Sequence, residues 1–114
     1  MCIRDRFDPF TGVVLDESEG VRLAETLGDK KALILQNHGL LTVGPTVEAA
    51  AWWFISMDNA AQTQLLADAA GRTKPIAHET ARRTASMTGT HKGGSFSFQP
   101  LWDMIVAAEP DLLD

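Results

Sequence analysis

Three histidines are the side chains of this sequence best suited to chemistry, and His38 has the surroundings most typical of a site. A short apolar run precedes it, and Gly39 follows it directly, so that backbone or a ligand can approach closely. A neutral imidazole held at such a place can bind a metal ion. The alternative is a turn histidine that hydrogen-bonds to backbone, and the residues alone leave both interpretations open.

A metal site would need ligands besides His38, because a catalytic metal ion is held by several protein side chains. The sequence contains neither a His-x-His pair nor a His-Glu-x-x-His motif. His78, on a predicted helix beside Glu79, and His91, in a predicted loop, could complete a site by folding back. Exposed polar positions explain both equally well, so His38 is the one histidine that we assign to a candidate site.

Two further features resemble sites only superficially. Gly93 and Gly94 precede Ser95, but they lack the lysine and the strand-to-helix context of a phosphate-binding loop, so we expect a flexible loop there. Cys2 is the single cysteine. It excludes a disulfide framework and has no organised histidine partner for nucleophilic catalysis.

Two short apolar runs predict the strands that hold His38. Ala32–Leu35 is bounded by charged and polar residues and is typical of a strand buried on both faces. Residues 40–43 form the second run, which a Gly-Pro pair ends. Only the polar break Asn37-His38-Gly39 separates the runs, so we predict a tight antiparallel hairpin with His38 at its tip.

The longest predicted helix follows the hairpin over Val47–Ala70, with Thr46 as its N-cap and Gly71 at its end. Apolar residues recur there at helical spacing and predict a buried stripe. The stripe consists of Val47, Ala50 or Ala51, Phe54, Met57, Ala61 and Leu65, widened by Trp52, Trp53 and Ile55. The Trp pair fits core or subunit packing better than a ligand-stacking platform or another interface.

The remaining segments predict shorter elements. Residues 7–12 form a loop, and Asp16 caps a helix that Gly28 ends and that Glu17 and Glu19 stabilise at its positive end. The predicted apolar face of this helix consists of Val21, Ala24 and Leu27. Pro75 starts a helix over residues 76–87, and residues 101–108 form a last helix that stops before Pro110.

Composition excludes several classes of function. The 114 residues are 45% hydrophobic, and the net charge of −5 comes without a dense Lys/Arg stripe, so no nucleic-acid partner is expected. Arg82-Arg83 is interpreted as a solvated helix surface. The longest apolar run, residues 49–55, is far shorter than the roughly 20 residues of a bilayer span, and the start lacks a secretory signal. We therefore expect a cytoplasmic protein without a membrane partner.

Three segments together resemble the C-terminal half of the class II aldolase/adducin family. They are residues 31–44 (KALILQNHGLLTVG), 46–50 (TVEAA) and 96–102 (FSFQPLW). The resemblance implies an α/β fold of three α/β/α layers around a largely antiparallel central sheet, usually assembled into homotetramers. This chain would hold only its C-terminal portion, the hairpin with its covering helices. We expect residues 1–6 to be a non-native or disordered start and residues 7–114 to be the C-terminal part of a single domain.

The resemblance also implies a chemistry for His38. In the family's enzymes three histidines bind a divalent metal, generally zinc; two come from an upstream His-x-His pair, and the third maps onto His38. The metal stabilises the enediolate formed when a carbon-carbon bond breaks in a retro-aldol step, while a carboxylate moves the proton. The usual substrates are small phosphorylated sugars, so the resemblance implies a Zn²⁺-dependent lyase of carbohydrate metabolism.

The sequence departs from the family pattern in what it omits. The His-x-His pair, the phosphate-binding loop and the acid/base carboxylate precede the region that this chain covers, and the sequence has no tyrosine, which some family enzymes use. We therefore expect the full-length parent protein to be active and this fragment alone to be inactive. The alternative for the fragment is that it does not fold stably alone. A function of a different class also stays open, that of an adducin-like, cytoskeleton-associated assembly module without catalysis. The apolar residues 52–55 favour this alternative.

Overall fold

The computed structural model describes residues 4–7 and 17–113, which form a three-stranded mixed sheet and four α-helices. In chain order these are strand β1 (Arg4–Phe7), helix α1 (Glu17–Leu27), strands β2 (Ala32–Leu35) and β3 (Gly39–Thr42), and helices α2 (Val47–Ala70), α3 (His78–Thr88) and α4 (His91–Ala108), followed by a 3-10 turn over Pro110–Leu113. The sheet order is β1-β2-β3. β1 runs parallel to β2, and β2 pairs antiparallel with β3.

The sheet lies between helices on its two faces, because successive side chains of a strand point to opposite sides. Ala32 packs with Trp53 and Met57 of α2 on one face. Leu33 and Leu35 form the core of the other face, where Leu23 and Leu27 of α1 pack against them. The described residues thus form a partial α/β fold, with a helix-sheet-helix arrangement around the hairpin, as the resemblance implies.

Helix α2 has the predicted bounds. The Thr46 hydroxyl accepts a hydrogen bond from the Ala49 amide at 3.3 Å, and Gly71 ends the helix with its N–H donated to the Ala67 carbonyl. Both caps satisfy backbone groups that helix ends leave unpaired. The local sequence therefore fixes this helix at both ends.

The buried stripe of α2 differs from the predicted one. Its buried residues are Ala49, Trp53 and Met57, whereas Val47 is 83% exposed and Leu65 71% exposed. A helix of 24 residues is about 36 Å long, but a strand of four residues spans only about 13 Å. The short sheet therefore covers only the part of α2 around residues 49–57, and apolar residues beyond that part, such as Leu65, stay exposed.

Helix α4 begins at His91 rather than at Leu101, so the predicted loop around Gly93 and Gly94 is wrong. Thr90 caps the helix by accepting a hydrogen bond from the Gly93 amide at 3.0 Å. Gly94 is buried against Trp53, where an added Cβ would come within 2.9 Å of the indole Cζ2. The glycine is needed for close packing of α4 on α2, a tertiary reason that overrides its weak helix propensity.

Smaller differences concern β2 and the short helices. Ile34 is 37% exposed, so β2 is not buried on both faces along its whole length. The covered face of α1 consists of Leu23 and Leu27 rather than Val21, Ala24 and Leu27. Helix α3 starts at His78, two residues after the predicted start at Ile76, and it contains no buried residue.

At the start of the chain, Phe7 lies in β1 and not in the predicted loop. The other residues of that loop, the proposed cap Asp16 and the single cysteine Cys2 lie outside the described residues. The assignment of residues 1–6 to a non-native or disordered start stays a prediction. Within the described part of the chain, no helix is both long and apolar enough to cross a bilayer.

Candidate functional site

His38 lies in the turn between β2 and β3, at the tip of the hairpin. Its backbone N–H donates a hydrogen bond to the Leu35 carbonyl at 3.1 Å, which closes the turn. Asn37 adopts φ 59°, a left-handed conformation that asparagine tolerates better than most residues. The imidazole is exposed and is carried on a turn that backbone geometry defines, as a ligand position requires.

A cavity of about 470 Å³ opens beside His38, between the hairpin tip and α2. The hairpin contributes six residues to its lining and α2 contributes four. They are Ile34, Leu35, Asn37, His38, Gly39 and Leu40 of the hairpin, and Phe54, Met57, Asp58 and Ala61 of α2. Small-molecule sites commonly enclose about 300–1,000 Å³. The cavity is thus large enough for a small organic molecule that reaches the imidazole.

The α2 side of this cavity was missed as a site by sequence reasoning. Phe54, Met57 and Ala61 recur at helical spacing, and that spacing predicts a stripe facing the core. The three residues do share a face, but this face lines the cavity, and only Met57 is buried. Asp58 adds a carboxylate to the same wall, and its Oδ2 accepts a hydrogen bond from Gln62 at 2.7 Å. Periodicity alone does not distinguish a core from a cavity.

The other histidines lie elsewhere. His78 is the first residue of α3, and His91 is the first residue of α4, where its ring stands edge-on to Trp53 with 6.3 Å between ring centroids. Neither lines the cavity beside His38. Among residues 4–7 and 17–113, no three His, Cys, Asp or Glu side chains lie close enough to hold a metal ion. The described residues therefore fit one imidazole ligand of a metal site and not a whole site.

Trp53 serves packing. Its side chain is 3% exposed and lies in the core with Ala32 and Met57, and the Lys31 ammonium lies 5.5 Å from the ring centroid. The indole Nε1 has no hydrogen-bond partner among the described residues. The core interpretation of the Trp pair is therefore correct for Trp53, while Trp52 is half-buried at the edge of the same cluster.

Two carboxylates outside the cavity have shifted pKa values, and both shifts come from hydrogen bonds. The pKa of Glu48 is lowered by its own backbone N–H and by the Thr46 hydroxyl at the start of α2. The pKa of Asp68 is lowered by hydrogen bonds from Gln64 at 3.0 Å and from Thr73 at 2.8 Å. Glu48 lies in the first turn of α2 and Asp68 in its last turn, and neither lines the cavity of the candidate site.

Comparisons with known proteins relate the chain to one protein family. Residues 6–65 match the family model described as the class II aldolase and adducin N-terminal domain. The chain is 50% identical over 106 residues to a 4-hydroxy-3-prenylphenylpyruvate oxygenase/4-hydroxy-3-prenylbenzoate synthase of Streptomyces roseochromogenus subsp. oscitans, and 50% identical over 106 residues to the decarboxylase NovR of Streptomyces niveus. These alignments cover 93% of this chain but 38% and 39% of the two relatives.

A solved structure shows the same likeness in three dimensions. The L-fuculose 1-phosphate aldolase of Glaciozyma antarctica PI12 superposes with a TM-score of 0.76 and 44% sequence identity, over 80% of this chain and 36% of that protein. The chain thus spans about two-fifths of the length of the proteins that it resembles. The family model and the shared fold agree with the resemblance seen in the sequence, and the chain belongs to the class II aldolase and adducin family.

Proposed function

We propose that this chain is the C-terminal part of a metal-dependent enzyme that cleaves a carbon-carbon bond next to a carbonyl group, with His38 as one of three metal-binding histidines. The observation that carries the proposal is the exposed imidazole on a closed hairpin turn beside a cavity of about 470 Å³. Family membership supports it, because class II aldolases generally use a divalent metal.

The residues present fit part of such a site. His38 would supply one nitrogen ligand, and the remaining ligands would come from outside the described residues. A divalent metal ion such as Zn²⁺, when bound, polarises a carbonyl oxygen and stabilises the negative charge that bond cleavage leaves. The hairpin turn fixes the direction of His38, and the cavity walls exclude water from one side of the substrate.

Two reaction classes fit this proposal. The solved relative is an L-fuculose 1-phosphate aldolase, which favours retro-aldol cleavage of a small phosphorylated sugar. The two Streptomyces relatives are named for decarboxylase, oxygenase and synthase activities, and their 50% identity favours removal of a carboxyl carbon from an oxo acid. Aldol cleavage and the loss of CO₂ from a 3-oxo acid both leave an enolate, whose negative charge a metal ion bound to the carbonyl oxygen would stabilise, so one metal site would serve either.

The test is a His38→Ala substitution in the full-length protein, with metal content measured by mass spectrometry. We expect near-stoichiometric metal in the wild type and loss of metal and of bond cleavage in the variant. Unfolding of the metal-free proteins by urea should differ by less than about 0.5 kcal/mol, because the exposed imidazole contributes little packing. His78→Ala, at an exposed position on α3, is the matched control and should keep its metal.

The contrary outcomes are distinct. A fully folded wild type without metal would contradict the proposal and favour the non-catalytic assembly module. A large loss of stability in metal-free His38→Ala would mean that the residue serves mainly the turn. Assays of sugar-phosphate cleavage and of oxo-acid decarboxylation on the same preparation would separate the two reaction classes.

A further inference from the structure

The cavity beside His38 is apolar where a sugar-phosphate site would be polar. Five of its lining residues carry apolar side chains on the side of the sheet that faces α2 or on α2 itself, namely Ile34, Leu40, Phe54, Met57 and Ala61. None of the described lining residues is a lysine or an arginine, and Asp58 contributes a carboxylate. Phosphate groups are bound by cationic side chains or clustered N–H donors, and a carboxylate repels them. The charge of this cavity therefore disfavours a phosphorylated group within it.

Both walls of the cavity present apolar surface that a ring can cover. Phe54 is 46% exposed and presents aromatic surface to it, and Ile34, which is 37% exposed, forms part of the wall opposite on the hairpin. Contact between two aromatic rings contributes more binding free energy than their buried area alone would give. A ligand that covers the exposed apolar side chains of both walls gains further binding free energy, because it removes apolar surface from water.

Ala61 has a particular place in the lining. It is exposed on α2, one helical turn beyond Met57 and Asp58 and two turns from Phe54, so its small side chain leaves the end of the cavity open. A larger side chain at this position would project from the α2 wall into that end of the cavity and reduce its volume. Ala60, the neighbouring residue, is also exposed but does not line the cavity.

We infer that the cavity binds an apolar aromatic ring of the substrate, and that Ala61 sets the size of the ring that can enter. The oxygen-bearing chain of the same substrate extends to His38, a placement that rests on the proposed metal-binding role of this histidine. The substrate class is thus a small aromatic compound with adjacent oxygen atoms on its side chain.

The experiment measures binding to the full-length protein by calorimetry. The probe is benzoylformate, which joins a benzene ring to an oxo acid, and dihydroxyacetone phosphate represents phosphorylated sugars. We expect benzoylformate to bind the wild type and Ala60→Phe equally, and Ala61→Phe at least tenfold more weakly. Phe54→Ala, which removes a wall instead of filling the space, should also weaken binding at least tenfold. Thermal unfolding of each variant provides the control for folding.

The inference is overturned if benzoylformate fails to bind the wild type, or if Ala61→Phe and Phe54→Ala bind it as the wild type does. It is also overturned if dihydroxyacetone phosphate is the compound whose binding Ala61→Phe weakens. Metal content, measured on the same samples, separates this result from the proposed function. A metal-free protein whose benzoylformate affinity still falls in Ala61→Phe contradicts the metal site alone. A metal-loaded protein that Ala61→Phe leaves unchanged contradicts the ring site alone.

Discussion

Gly94 shows how one residue without a side chain joins two helices. The Trp53 indole occupies the space where a Cβ would stand, at 2.9 Å from Cζ2 and 3.2 Å from Cε2. Real Cβ atoms do not approach carbon this closely, so a side chain there would push α4 away from α2 or rotate a buried indole. Because Trp53 also packs on Ala32 of β2, such a shift would extend to the sheet.

We therefore expect Gly94→Ala to destabilise the full-length protein by about 1–3 kcal/mol, the usual effect of overpacking. The matched control is Gly20→Ala in α1, where nothing lies within 4 Å of the added Cβ. This change should stabilise the protein by roughly 0.5–1 kcal/mol, because alanine is the better helix former. Urea unfolding followed by circular dichroism measures both, and equal shifts in the two variants would contradict the packing argument.

At the scale of an element, α2 depends on its N-cap. The Thr46 hydroxyl accepts from the Ala49 amide and lies 3.2 Å from the Ser95 hydroxyl of α4. We expect Thr46→Ala to lower the free energy of unfolding by about 1 kcal/mol through loss of the cap. Thr63→Ala is the control, since the Thr63 hydroxyl donates to the Asn59 carbonyl within the exposed part of α2. An equal effect of the two substitutions would contradict the capping role.

The Thr46 cap also makes the stability of the folded protein depend on pH. The pKa of Glu48 lies below its ordinary value of 4.5 because its own backbone N–H and the Thr46 hydroxyl stabilise the carboxylate. Because the pKa of Glu48 is lowered in the folded state, its carboxylate stabilises the folded protein above pH 4.5. This stabilisation is lost as the pH falls through the pKa of the folded state. In Thr46→Ala we expect the pKa of Glu48 to rise towards 4.5, as carboxyl NMR titration would measure. An unchanged pKa would assign the shift to the backbone alone.

Local signals predicted α2 and the hairpin because their causes are local. Thr46 and Gly71 act within one turn of the helix, and the polar break after Leu35 fixes the hairpin. The start of α4 was not predictable from its Gly-Gly pair, since Gly94 is selected by Trp53, which lies far away in the sequence. These failures arise where tertiary contact decides the structure.

Like the fold, the candidate site was predictable from the sequence only in part. His38 and its hairpin follow from the residues, and the family resemblance supplies its metal-binding role as a prediction. The stripe of Phe54, Met57 and Ala61 was identified with the correct spacing but assigned to a core. Deciding between core and cavity requires the length of the sheet beneath α2, which becomes known only when the strands are paired.

The whole molecule is more open than a self-sufficient domain of its size. Its radius of gyration is 16.3 Å, whereas a compact chain of this length has about 13 Å. Within the described residues, the buried hydrophobic core consists of six side chains, while Phe96, Met104 and Leu66 are among many large ones left exposed. Such a chain gains little free energy from burial and is best stabilised by further surface that covers it.

We accordingly expect hydrogen exchange on the isolated 114-residue chain to show weak protection, even in residues 32–43. In the full-length protein, the hairpin and the exposed half of α2 should gain protection together. The measurement is amide exchange resolved by mass spectrometry in both forms. Strong protection throughout residues 32–43 of the isolated chain, equal to that in the full-length protein, would show that the chain folds stably by itself.

The pairing of Leu35 with Gly39 across the turn has a kinetic consequence. Closing so short a loop loses little chain entropy, and hairpins form in about 1–10 μs. The contact of α4 with α2 and the parallel pairing of β1 with β2 both join distant parts of the chain and must form more slowly. During folding, the turn that carries His38 is therefore among the first parts to form, before the helices that surround it have packed.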